Sequence, residues 1–145
     1  MSLPATDNFN RADDAASLGA NWTQTAGVLG ITSNRATVQG GSSGQNNIAY
    51  WSADSFASDH YSQAVYISNV YPCVAVRCQS GSASCYIFTN NGNVFRVDSG
   101  GLTLLVGGLS SPSANDVMKM TAEGSTLKCF INGAQTGSNI TDATY

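Results

Sequence analysis

Charge is scarce in this sequence: only 10% of its 145 residues are Asp, Glu, Lys or Arg, against about a quarter in an ordinary soluble domain. The polar surface must therefore come from Ser, Thr, Asn, Gln and Gly, which suits extracellular β-proteins, virion proteins and sugar-binding domains and suits a nucleotide enzyme poorly. The six Lys and Arg are scattered singly and the net charge is −3. No basic stripe exists to neutralise phosphates, so no nucleic-acid partner is expected. No apolar run approaches a membrane span, so no membrane partner is expected either. Met1-Ser2-Leu3-Pro4 lacks the basic start and apolar core of an export signal. That leaves the compartment open, with composition pointing to an extracellular or virion-associated protein. Helical periodicity is missing too; only Asp13–Leu18 reads as a helical turn, with Asp13 as its cap.

What is present is β. Gly and Ser punctuate the chain every eight to twelve residues or so, with short runs rich in Val, Ile, Tyr and Phe between them, the pattern of a sandwich or barrel. Strands are predicted at Asp7–Phe9, Asn21–Gln24, Val28–Thr32, Arg35–Gln39, Asn47–Ser52, Tyr61–Ser68, Tyr71–Cys78, Ser84–Asn90, Asn93–Asp98, Leu102–Val106, Asp116–Ala122 and Thr126–Asn132. At this length one domain with a real core is expected over residues 1–145.

Turn chemistry sets the register. Asn91-Gly92, read as a two-residue type I′ turn, places Phe88 opposite Phe95 and Tyr86 opposite Val97. Ser99-Gly100 places Val97 opposite Leu102 and Phe95 opposite Leu104. Asn69-Val70 would place Val65 opposite Val74, and Gly124-Ser125 places Met120 opposite Cys129 and Met118 opposite Ile131. Val65, Ile67, Val74, Val76, Tyr86, Phe88, Phe95, Val97, Leu102 and Leu104 then share a core face. Tyr66, Ala75, Arg77, Ile87, Arg96, Asp98 and Thr103 fall on the solvated side.

The opening stretch carries a specific pattern. Asp7-Asn8-Phe9-Asn10-Arg11-Ala12-Asp13, then Leu18-Gly19-Ala20-Asn21-Trp22, then Gly30-Ile31-Thr32-Ser33-Asn34-Arg35-Ala36 reads D-x-F-x-R-x-D…L-G-x-x-W…G-x-I-x-x-N-x-A. It resembles the start of concanavalin A-like jelly-roll domains of the laminin-G-like kind, found in bacterial secreted proteins, phage structural proteins and carbohydrate-active enzymes. Leu127–Gly133 resembles that family's v-x-v-x-v-N-G hairpin. The resemblance implies an all-β, antiparallel two-sheet jelly-roll β-sandwich. It also implies a closing strand and a D-x-F that are not seen at Ile140–Tyr145. A sandwich short of its final strand would leave an uncovered edge beside Asp7–Phe9, hence a homo-oligomer joined through that edge. Phe9 and Trp22 would seal one end of the core, with Arg11 on loop carbonyls or Asp13.

Glucanases of this fold use an E-x-D-x-E type strand, since glycoside hydrolysis needs an acid and a nucleophile flanking the bond. This chain has one glutamate, Glu123, so that activity is not carried over and no enzyme is expected. The lone His60, beside Asp59 and Ser62, lies in a loop neighbourhood ill suited to a catalytic triad. No Cys/His cluster has zinc spacing. The resemblance admits calcium, with Asp7, Asp13 and Asp142 as its carboxylates, and no other cofactor. Of the four cysteines, Cys78 and Cys129 fall inward and Cys73 and Cys85 outward, with Arg77 opposite Cys85. Cys73 and Cys85 would stand about 13 Å apart along the strands, too far to bridge, so free thiols are expected.

The leading functional expectation is a non-catalytic lectin-like module. It would bind a glycan through Tyr66, Arg77, Arg96 and Asp98 on the solvated face, with Trp51 and Tyr50 nearby. The alternatives are a structural or assembly domain of a phage or secreted multidomain protein and, third, a glycan-active enzyme with an unrecognised site.

Overall fold

A computed structural model describes residues 4–40, 47–67 and 72–145. The elements are all strands: β1 (Trp22–Ala26), β2 (Val28–Ile31), β3 (Ala36–Gly40), β4 (Ile48–Trp51), β5 (His60–Val65), β6 (Cys73–Val76), β7 (Cys85–Thr89), β8 (Val94–Asp98), β9 (Gly101–Val106), β10 (Val117–Glu123), β11 (Thr126–Ile131) and β12 (Ala134–Thr141). They divide between two compact units, Met1–Ser55 with Ser80–Ala83 and Phe56–Gln79 with Ser84–Tyr145.

The larger unit is an antiparallel two-sheet β-sandwich. One sheet has the strand order β12-β11-β10-β5 and the other β6-β7-β8-β9. Val74, Val76, Tyr86, Phe88 and Val94 of one sheet close on Met118, Met120, Ala122, Leu127 and Cys129 of the other. β10 and β11 carry this pattern because apolar residues alternate along them, with Met118, Met120 and Ala122 inward and Lys119 and Thr121 outward.

The smaller unit consists of two ribbons, β1 with β4 and β2 with β3. Ser33 (φ 51°) and Asn34 (φ 59°) form the two-residue turn between β2 and β3, closed by reciprocal Thr32–Arg35 backbone bonds. Both central residues being left-handed is the type I′ requirement.

Two hairpin registers match the turn chemistry: Val97 faces Leu102, and Met120 faces Cys129. Asn91-Gly92 does not behave as a two-residue turn. Gly92 N–H donates to Thr89 O and Thr89 N–H to Asn93 O, so the loop has three residues, with Gly92 at φ 76°. Phe88 therefore faces Val94 and Tyr86 faces Arg96. A one-residue slip turns every side chain to the other face. Arg96 and Asp98 lie on the inner side with Tyr86, whereas Phe95, Val97, Leu102 and Leu104 lie on the outer side of their sheet. Leu102 and Leu104 are half exposed.

The Val65–Val74 hairpin is also absent. β5 pairs with β10 instead, Val65 facing Val117, and Val65 is exposed; the Asn69-Val70 turn lies outside the described residues. Asp7–Phe9 is not a strand, because Asp7 Oδ1 accepts Phe9 N–H and Asn8 Oδ1 accepts Asn10 N–H. These short side chains satisfy their own backbone two residues on, which competes with a ladder. Asp13–Leu18 is no helix either, since Asp14 forms a backbone bridge to Ile31. A strand not foreseen, β12, pairs with β11 at the sandwich edge.

Candidate functional site

The outer face of the β12-β11-β10-β5 sheet gathers two aromatic rings, two amides and two ammonium groups. Gln135 faces Phe130, Phe130 faces Lys119 and Lys119 faces Gln63, one row across four strands and about 14 Å wide. A second row holds Lys128, Thr121 and Tyr61. Tyr61 is 49% exposed. The Lys119 ammonium stands between the two aromatic rings, 4.3 Å from the Tyr61 centroid and 5.9 Å from that of Phe130, and the cation–π attraction orients all three. Lys128 reaches Glu123 at 2.6 Å, and Glu123 also accepts from Thr121. The Lys128 bond holds the Glu123 carboxyl below its ordinary range. The lone glutamate is thus a fixed anion at the end of β10.

Sequence reasoning missed this face for one reason. Met118, Met120 and Ala122 already mark Lys119 and Thr121 as outward, but nothing local says that β5 lies beside β10, more than fifty residues away in the chain.

The residues predicted for the solvated face sit elsewhere. Tyr66 packs against the core and exchanges backbone bonds with Asp116 and Asn115. Arg77 is a buried clasp, its side chain 10% exposed, donating to the carbonyls of Ser58, Gly124 and Tyr145. Arg96 bridges Asp98 (3.0 Å) and Asp142 (2.9 Å), while Tyr145 Oη donates to Asp98 and Tyr86 Oη to Asp142, both at 2.6 Å. In the smaller unit, Trp51 Nε1 donates to Asp54 and Tyr50 Oη reaches Ser80.

The acidic residues expected for calcium each serve a protein partner. Asp7 takes bonds from Arg11, Trp22 Nε1 and Phe9 N–H, and the Arg11 guanidinium above all holds its carboxyl at about 2. Arg11 also donates to Leu18 O rather than to Asp13, and Gly19 (φ 100°) leaves room for that guanidinium, which would press at 3.2 Å on an added Cβ. Phe9 and Trp22 do stack, with centroids 5.8 Å apart. Asp13 accepts from Ser33 N–H. Burial opposes the charged form of Asp142, but bonds from Tyr86, Thr144 and Arg96 outweigh it and hold that carboxyl at about 2 as well. Among the described residues, no three His, Cys, Asp or Glu gather as a metal set.

His60 lines a cleft of about 450 Å³ with Phe56, Ser58, Arg77, Gln79 and Tyr145. Its Nδ1 bonds Ala57 O and its Nε2 accepts Arg77 N–H, while Asp59 accepts Gly124 N–H. Backbone holds both ring nitrogens, and Arg77 is spent on carbonyls, so this cleft is a structural joint.

No family model matches the chain. No curated protein matches it. Among solved structures it is similar to the carbohydrate binding module CBM66 from Bacillus subtilis, with a TM-score of 0.63 at 13% identity, covering 86% of this chain and 81% of that one. At that identity the likeness shows the fold, a β-sandwich.

Proposed function

We propose that the chain is a non-catalytic carbohydrate-binding module of lectin-like character that holds a glycan on the outer face of the β12-β11-β10-β5 sheet. The observation that carries this reading is the row Gln63–Lys119–Phe130–Gln135 with the half-exposed Tyr61 beside it. Apolar faces of sugar rings stack on aromatic rings, and amides and amines bond the hydroxyls around their rim. The B. subtilis module, a carbohydrate-binding protein by name, supports the reading through shared fold alone, and a fold hosts many functions. The concanavalin A-like, laminin-G-like pattern of the opening motif fits the same reading.

The test is calorimetric titration with a panel of soluble neutral and uronate-containing polysaccharides. A ligand is expected whose affinity falls about tenfold in Tyr61→Ala and again in Phe130→Ala, the size of a lost stacking contact. Silence across the panel, or equal affinity in both variants, would overturn the reading.

An assembly role is the second reading, and β9 supports it. Among the described residues β9 is an edge strand pairing only with β8, and its residues Gly101–Val106 (GLTLLV) contain no charge and no Pro. Such an edge offers a template for another strand. The partner is a second copy of this chain, joined β9 to β9. Light scattering of the wild type should then give a dimer that Leu104→Pro, which removes a backbone N–H facing away from β8, converts to a monomer; a strict wild-type monomer excludes it.

A further inference from the structure

The hairpin between β6 and β7 brings two thiols together. Up to Val76, which faces Tyr86, the register is regular, and its continuation would set Arg77 opposite Cys85. Arg77, however, adopts φ 55°, and beyond it Gln79 N–H donates to Ser84 O at 2.9 Å. The register has thus advanced by one residue on the β6 side, as in a bulge in which two residues oppose one. Cys78 joins Arg77 in facing Cys85, and the two thiols hydrogen-bond to each other.

We propose that Cys78 and Cys85 are a modification site: a cross-strand dithiol that a small-molecule disulfide such as oxidised glutathione converts to a disulfide bond. Facing residues of an antiparallel pair stand about 4.5–5.5 Å apart at Cα, within the roughly 4.4–6.8 Å that a disulfide spans. The other thiols are poorly placed. Cys73 faces Thr89, four residues from Cys85 along β7 and hence about 13 Å away. Cys129 lies in the core cluster.

The order of events follows from exposure. Cys78 is half-buried and Cys85 fully buried. The hydrogen bond from Cys85 favours the Cys78 thiolate. Donating that bond, together with burial, pushes the Cys85 thiol up. The Cys78 thiolate attacks one sulfur of the disulfide RSSR, forming a Cys78–S–SR bond and expelling RS⁻. Cys85 then attacks the Cys78 sulfur and expels the second RS⁻, and the two RS⁻ take up the protons that the two thiols gave up. Two thiols and one RSSR become one protein disulfide and two RSH. The chain leaves the larger unit after Gln79 and re-enters it at Ser84, so the bond closes the base of that excursion.

The experiment is to incubate the folded protein with oxidised glutathione, alkylate it without reduction, and map peptides by mass spectrometry. A Cys78–Cys85 crosslinked peptide is expected, with Cys73 and Cys129 alkylated or unreacted. Cys73→Ser should retain the crosslink. Cys85→Ser should instead stop at a glutathione adduct on Cys78. Two outcomes refute the proposal: no crosslink in the wild type, or a crosslink that requires Cys73.

Discussion

The two units of this chain are held together by different means. In the larger, ten buried side chains from two facing sheets form one apolar cluster. In the smaller, Leu18, Ile31 and Ile48 are the buried apolar side chains among the described residues, and the joints are polar and aromatic. Asp7 ties Phe9, Arg11 and Trp22 together. Gln24 bonds Leu29 in both directions, and Trp22 stands edge-on to Trp51 at 5.5 Å. A chain with so few charges spends many of them as joints: Asp7 with Arg11, Arg96 with Asp98 and Asp142, Arg77 on three carbonyls. Apolar burial is insensitive to pH, whereas a carboxylate joint is not, so the apolar cluster and the carboxylate joints should respond differently to truncation and to acid.

Removing a core aromatic should give the largest effect. Phe88 is fully buried between the sheets, and Phe88→Ala should cost about 3–5 kcal/mol in chemical denaturation, transfer and cavity terms together. A cost below about 1 kcal/mol would mean the cluster is not the core it looks to be. Asp7→Ala should cost less, about 1–3 kcal/mol, because it strands donors from Arg11, Trp22 and Phe9. Trp fluorescence should report the change through Trp22, while near-UV signals of Tyr86 should not. A change confined to Tyr86 would reverse the contrast.

How much of this was legible in the sequence depends on how local the determining contact is. Ser99-Gly100 and Gly124-Ser125 fixed their hairpins because the turn lies within the residues that adopt it. Asn91-Gly92 misled because a glycine in the left-handed region serves both two- and three-residue loops. What selects the longer loop is remote: Gly92 O accepts Leu109 N–H, and a Cβ on Gly92 would meet Leu109 O at 2.1 Å. That single residue of slip carried Arg96 and Asp98 from the face assigned to a ligand into the Tyr86–Asp142–Tyr145 network. The bulge at Arg77 likewise replaced an arginine by Cys78 as the thiol neighbour of Cys85. The candidate sugar face depended on β5 lying beside β10, a non-local pairing with no signature in either segment. In the opening motif the Phe9–Trp22 contact and an Arg11 bond to a loop carbonyl were legible, but Asp7 as the partner of Arg11, and Asp7–Phe9 as a non-strand, were not.

Acid separates the two kinds of joint further. Asp7 and Asp142 are both held at about 2, below the ordinary 3.8. A carboxyl depressed in the folded state contributes stability that is complete above the unfolded value and lost as pH falls through the folded one. Stability should therefore be flat above about pH 5 and decline between about pH 4 and 2. Asp7→Asn and Asp142→Asn should each flatten part of that decline, and Phe88→Leu should leave its slope unchanged. Equal slopes in wild type and both Asn variants would show that other carboxylates govern acid unfolding.

The smallest effect on stability is expected where the effect on function should be largest. Tyr61 and Gln63 point outward from an edge strand of the sandwich and are exposed, and neither contributes to the apolar cluster. Tyr61→Ala gives up the Lys119 contact and little else. It should cost within about 1 kcal/mol, and Gln63→Ala within about 0.5 kcal/mol. Denaturation midpoints measured beside the titrations make the distinction: a ligand-binding face shows lost affinity on an unchanged midpoint. Should Tyr61→Ala lower the midpoint as Phe88→Ala does, then Tyr61, Lys119 and Phe130 form a structural cluster. Any lost affinity would then trace to the fold, and the outer sheet face would have no claim as the recognition surface.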